Sequence, residues 1–449
     1  MKRNFLISNR FKELLKQELQ NWQTDGLVGP EQSAAISQRY NLDQIGRERK
    51  NYFLFAIYII GFVLVGGGII SFVAAHWDKI APTPKVVVLV GIMLTCHLLG
   101  FYLWKISAKN PRLGHAFIVL GTLVFGANIG LLAQVFHIQI NFYYSLFAWA
   151  LGAIAMAYAL ESIPNAGIAI VISFVAFCGW TNDNPHAFCY YPFIAAVAFL
   201  PFSYLRRSVL IFGLSLLAVG VSILICAGWD SRELLALSLS AAGVSLLFFA
   251  LGLLSDRTAA FKSFTAPALV LATILIALNA YMLSFKGAAR EVEFGGDENW
   301  MWTIPVAAAY IIAVIVGVCA FKSMLQQRRI RLISISILVS TVLLLVGIIV
   351  KTFLPGNWIY DDYLFVVITS HLACLALCIG LIANSFLAED RRIFWAAILF
   401  AALIITTRFF EYETGLLLKS AVFAACGIGL IFAGITFEHY LKKRRLTNE

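Results

Sequence analysis

The sequence predicts an all-α, polytopic integral membrane protein: a helical bundle of about 14 spans preceded by a short helical hairpin. Three observations predict it. The 449 residues are 61% hydrophobic and 13% charged, with a mean hydropathy of +0.84, whereas a soluble domain is nearer half apolar and a quarter charged. Apolar runs of about 20 residues, the length that crosses a bilayer, recur along the chain with short polar breaks. The alternating segments of roughly 10 residues that a membrane β-barrel needs are absent. The net charge of +10 fits the same class: in a membrane protein, excess Lys and Arg marks the cytoplasmic side rather than a nucleic-acid partner.

Residues 1–50 form a polar, cytoplasmic segment. Phe11, Leu14, Leu15, Leu19 and Trp22 recur at helical spacing and give one apolar stripe. Asp25-Gly26 breaks that helix, and Gly29-Pro30-Glu31 starts a second, to about Tyr40. The pair can fold as a hairpin or lie on the membrane surface. The first apolar run begins near Tyr52, later than a cleaved secretory signal would, so this span is expected to stay in the protein.

The spans are expected at 52–75, 86–104, 115–136, 143–160, 164–181, 191–205, 208–229, 234–254, 264–285, 301–321, 332–354, 363–387, 393–410 and 415–438. The sixth is short and holds Pro192 and Pro201, so a reading with 12 spans stays open if the fifth and sixth do not cross. This divides the chain into the N-terminal segment, spans 1–4 (51–160), spans 5–14 (161–440) and a basic cytoplasmic tail (441–449). With the N-terminus in the cytoplasm, all but eight of the 34 Lys and Arg fall on the cytoplasmic side. The exceptions are Lys79, Lys85, Arg232, Lys286, Arg290, Lys351, Arg408 and Lys419. That bias supports an even number of spans with both termini inside. It cannot separate 12 spans from 14, because the parity is the same.

The third span, within Gly114–Asn141, carries Asn128 and Gln134, with His137 at its far end. Amides are costly in hydrocarbon, so these face other helices, by hydrogen bonding, or a polar cavity. Gly126 and Gly130, four apart, suit a small-residue helix contact. His97 in span 2 and His371 in span 12 are the midmembrane imidazoles, functional candidates by default or bonded to a backbone carbonyl. Gly66-Gly67-Gly68 allows close packing in the first span, and His76, Trp77 and Asp78 follow at its outer end. A second outer cluster comprises Lys351, Arg408, Glu411 and Lys419. It is either a snorkelling ion pair or a charged vestibule for an anionic or zwitterionic substrate. Of the eight cysteines, only Cys189 lies in an evident loop. The others sit in or at the ends of apolar runs, where Cys acts as a small hydrophobe.

No phosphate-binding GxxxxGK[ST] loop, HExxH, GxSxG or strand-borne GxGxxG occurs, and no catalytic, cofactor or metal residues are assigned. The leading expectation is a permease-like carrier of a small or lipid-like solute without its own nucleotide-driven motor. The alternative is a non-catalytic assembly or sensing component whose N-terminal hairpin docks a partner protein. A transferase acting on a lipid-linked substrate is a third reading, with Asp78, Asp361, Asp362 and Arg408 as its visible candidates. The expected partners are thus the bilayer, a small solute or a protein at the N-terminal segment, and no nucleic acid.

The arrangement of Trp22, GLVGPEQ (Gly26–Gln32), Tyr40, AAHWD (Ala74–Asp78) and FGANIGLLAQVFHI (Phe125–Ile138) resembles a family of bacterial predicted membrane proteins, domain of unknown function 2157. The resemblance covers roughly residues 10–160. In that family an Asn is common where His76 stands, and a glutamine matching Gln134 is kept. The glycine and acidic pair usual after the position of His137 are missing here. The stretch Thr406–Gly434 is also similar in style to family members. The resemblance implies a protein of the bacterial inner membrane and no particular activity.

Overall fold

The computed structural model describes residues 9–40, 64, 81–107, 110–184, 189–231, 234–258, 260–292, 332–353, 363–411 and 415–448. All regular structure among them is helical. The chain divides into two compact units, residues 1–88 and 89–449.

In the first unit, α1 (Asn9–Thr24) and α2 (Pro30–Tyr40) are the two helices that the apolar stripe and the Gly-Pro-Glu signal predict. α1 closes in a Schellman turn. Gly26 takes a φ of 72°, its N–H donates to the Gln23 carbonyl at 3.4 Å, and the Leu27 N–H donates to that of Trp22 at 2.9 Å. Those bonds satisfy carbonyls that the helix end would leave open. At the start of α2, Gln32 Oε1 accepts the Gly29 N–H at 3.3 Å, the returning half of a capping box. The first expected span, apart from residue 64, lies outside the described residues together with His76, Trp77 and Asp78.

The membrane helices follow in order. α3 (Pro82–Phe101) runs on through a π turn, Tyr102–Ile106. Next come α4 (Pro111–Val135), α5 (Phe142–Leu160), α6 (Ile163–Trp180) and α7 (Tyr191–Arg206). α8 (Val209–Ser231), α9 (Leu234–Arg257), α10 (Thr265–Leu283) and the short α11 (Lys286–Arg290) complete the middle of the chain. α12 (Leu332–Phe353), α13 (Tyr363–Ala388), α14 (Arg391–Glu411) and α15 (Leu416–Asn448) end it. The second to ninth and eleventh to fourteenth expected spans each coincide with a helix; the tenth, 301–321, lies outside the described residues.

Ten described helices are long and apolar enough to cross a membrane. α7 falls short: its 16 residues, with Pro201 inside, reach about 24 Å at 1.5 Å per residue, less than the ~30 Å hydrocarbon layer.

Several connections are tight. His137, Glu161, Arg207 and Glu389 adopt left-handed φ values of 52°, 52°, 49° and 55°. Each is followed by an N–H that reaches five residues back: Ile138 to Ala133 at 2.8 Å, Ser162 to Ala157 at 2.9 Å, Ser208 to Ser203 at 3.1 Å and Asp390 to Ser385 at 3.2 Å. Such turns reverse the chain and lay α5 on α6 and α7 on α8. Cys189 and Cys226 form a disulfide, 37 residues apart in sequence, that ties the start of α7 to α8. This corrects the expectation for Cys226. Hydropathy scores a half-cystine in an apolar run as one more small apolar residue.

Two large apolar cores hold the second unit, and a small third one of Phe394, Phe437 and Leu441 joins α14 to α15. Ala153, Ala157, Ala166 and Ala169 let α5 and α6 approach closely, with Tyr191, Phe199 and Phe202 of α7 beside them. Phe212, Phe248, Phe249, Phe264 and Ile276 centre the larger core of α8–α10, which continues into α12 and α13. Phe264 stacks on Phe212 at 4.5 Å. Small interface residues are what close membrane packing favours, since lipid tails supply no hydrophobic drive between helices. Large apolar side chains such as Val197, Leu98 and Ile379 instead stay exposed.

Candidate functional site

Asn128 is buried, and its Nδ2 donates to the Leu89 carbonyl of α3 at 2.7 Å. Its partner is thus a neighbouring helix. Asn279 of α10 makes the same kind of bond to Ser238 of α9 at 2.9 Å, a second membrane asparagine that the sequence reading passed over. Gln134 is exposed one residue from the end of α4. A helix of 25 residues is about 37 Å long, so its ends overrun the hydrocarbon and the amide reaches the interface. His137 is the exposed left-handed residue that ends the helix. His97 Nδ1 lies 2.9 Å from the Met93 carbonyl and His371 Nδ1 2.7 Å from that of Val367, each within its own helix. His97 packs in the space above Gly121, where a Cβ would meet its ring at 2.6 Å.

Asn128, Gln134, His137, His97 and His371, expected as a polar pathway or as packing residues, share no hydrogen bond with one another among the described residues. Gly126 and Gly130 do not act as a pair either. A Cβ at Gly126 would strike the Trp149 ring at 2.1 Å, while Gly130 has open space before it.

The charged cluster is assembled. α10 ends at Leu283, and Ser284-Phe285 turns the chain into α11 beside the last turn of α14. Arg408 Nη1 donates to the Ser284 carbonyl at 2.6 Å and pairs with Glu411. Glu411 in turn accepts the Lys286 backbone N–H. The Phe285 ring lies 3.7 Å below the guanidinium carbon. Lys351, at the end of α12, caps α11 by donating to the Ala289 carbonyl at 2.7 Å and the Arg290 carbonyl at 2.8 Å. Arg290 bonds to the Tyr363 hydroxyl at 3.2 Å. Ends of four helices, α10, α12, α13 and α14, thus converge on α11. Lys419 belongs to α15, but its side chain lies outside the described residues, as do Asp361 and Asp362.

Arg408 and Glu411 are only 12% and 13% exposed. Nε and Nη2 of Arg408 are buried and have no hydrogen-bond partner among the described residues. In a guanidinium these two nitrogens share one edge, the fork that grips a carboxylate or phosphate with two parallel bonds. Nη1 is committed to the protein, Phe285 covers one face, and the fork edge is left over.

A further polar group at this end of the bundle escaped the sequence reading. Asp183 Oδ2 accepts the Tyr143 hydroxyl at 2.6 Å and Asn141 Nδ2 at 2.7 Å, joining the end of α6 to the start of α5. The only sequence signal was a polar residue at each of two adjacent turns.

Residues 20–165 match the family model of DUF2157, a predicted membrane protein. This bears out the resemblance seen in the sequence. The DUF2157 match runs from α1 through α5 and includes Asn128 and Gln134. It ends well before Ser284, Lys351 and Arg408, so the charged cluster lies outside the matched stretch. No curated protein and no solved structure matches the chain.

Proposed function

We propose that the protein is a permease-like carrier of the bacterial cytoplasmic membrane for an anionic or zwitterionic solute, small or lipid-like, whose carboxylate or phosphate is engaged by Arg408. The free Nε–Nη2 edge of this buried arginine carries the reading. A buried donor without an acceptor is costly, and an incoming oxyanion removes that cost. Both termini lie in the cytoplasm and the Arg408 end faces outward. The distribution of Lys and Arg supports this orientation. So does the Cys189–Cys226 disulfide at the same end, since disulfides persist in oxidising compartments. Without a nucleotide-binding loop in the sequence, movement is driven by a gradient.

The test is flux in proteoliposomes across a panel of carboxylates, phosphomonoesters and zwitterions. The expected result is uptake of one class, at least tenfold lower in Arg408→Gln/Glu411→Gln, which removes both charges together, and unchanged in Gln134→Ala and His371→Ala. No uptake of any class, or uptake indifferent to the double substitution, rejects the proposal.

A second reading, a membrane assembly or sensing component, is supported by Asn128, which serves a helix contact. In that case α1 and α2 dock a partner protein. A crosslinked partner recovered with the full chain and lost on deleting residues 1–40, in the absence of any flux, would favour it.

A further inference from the structure

α15 is the least buried of the candidate spans. Among the described residues it is pinned to α14 near one end, where Phe437 stacks on Phe394 at 4.0 Å. Beside that contact the two helices enclose a groove of about 770 Å³, within the range of ligand-binding clefts. Its floor is apolar: Trp395, Leu430, Ile431 and Ile435. Gly434 keeps it open, because a Cβ there would come within 3.1 Å of the Trp395 ring. Its rim is polar and carries a net positive charge: Arg391, Lys442, Glu438 and His439 line the end nearer the C-terminus of α15. Arg391 is bonded to Glu438 at 2.6 Å, half exposed, and Lys442 is exposed.

We infer that this groove is a binding site for an anionic phospholipid of the cytoplasmic leaflet, with the phosphate on Arg391 and Lys442 and an acyl chain along Trp395 and Gly434. Two features select this occupant. The groove is apolar along its length and positive at one end, which matches an amphiphile with an anionic head. It also lies on a helix whose other faces, Ile428 and Phe432 among them, are exposed apolar surface, so the surrounding medium is the lipid itself. Basic sites between membrane helices on the cytoplasmic side bind anionic head groups in this way.

Native mass spectrometry of the purified full chain tests it, with phosphatidylglycerol and phosphatidylethanolamine as competing probes. Wild type is expected to retain phosphatidylglycerol selectively. Arg391→Gln and Lys442→Gln should each lower that selectivity about fivefold, while Arg391→Lys keeps it. Glu438→Gln, which frees Arg391, should raise it by a similar factor; a purely structural ion pair would not respond so. Gly434→Leu should displace the lipid at unchanged melting temperature. No preference between the two lipids in wild type, a preference indifferent to both Gln variants, or a dimer that Gly434→Leu dissociates in place of lipid loss would overturn the site.

Discussion

The two ends of the bundle use charge differently. At the end that carries Arg408, the ion pair is nearly buried, and both partners are also bonded to backbone groups of the α10–α11 turn, more than a hundred residues away. At the opposite end, Arg206–Glu161, Arg391–Glu438 and Arg444–Glu389 are exposed pairs, with side-chain exposures from 38% to 62%. Exposed pairs are worth about 0–1 kcal/mol, whereas removing one partner of a buried pair strands a charge and costs about 3–5 kcal/mol. Charge is abundant at the end where its pairs are exposed, and scarce, buried and spatially fixed at the Arg408 end.

The comparison can be broken at its strong end. Arg408→Leu is expected to destabilise the protein by about 3–5 kcal/mol, read as thermal unfolding in detergent, and adding Glu411→Leu should recover most of the loss. If Arg408→Leu costs no more than a change in an exposed pair, the two ends do not differ. Next in size is Cys189→Ser. Losing a disulfide typically costs about 2–4 kcal/mol, and the intact bond should yield to a membrane-impermeant reductant in right-side-out but not in inverted vesicles. The reverse pattern would exchange the two ends.

A smaller effect should be shared by both. His137→Gly at one end and Glu389→Gly at the other should each stabilise by about 1 kcal/mol, because glycine alone adopts the left-handed conformation without a Cβ penalty. A loss at His137 instead would mean that its imidazole has a partner. Smallest of all, Arg206→Gln should shift stability by less than about 1 kcal/mol, and the shift should vanish in high salt. A salt-independent loss would make that pair a buried one in effect.

How much of this could be read beforehand depended on sequence distance. The i, i+3 spacing of Arg408 and Glu411 shows their pairing directly. The role of Lys351 does not show, because its acceptors are carbonyls 61 and 62 residues earlier, and a carbonyl has no residue signature. Asn128 is visible as a costly amide, but its partner, Leu89, is contributed through its backbone, 39 residues away. The Gly126–Gly130 reading failed for a related reason: spacing says which residues share a face, not that the face meets Trp149 at one glycine and open space at the next.

The sequence alone determined the class of protein, the placement of helices and the charge asymmetry between the ends, because each follows from the cost of moving side chains and backbone into lipid, a cost levied residue by residue. Tertiary structure decided which polar groups are satisfied and which are left with an open valence. That outcome depends on carbonyls, rings and thiols brought together from distant turns: among the described residues, Ser284, Phe285 and Glu411 engage one side of Arg408 and leave its Nε–Nη2 edge over.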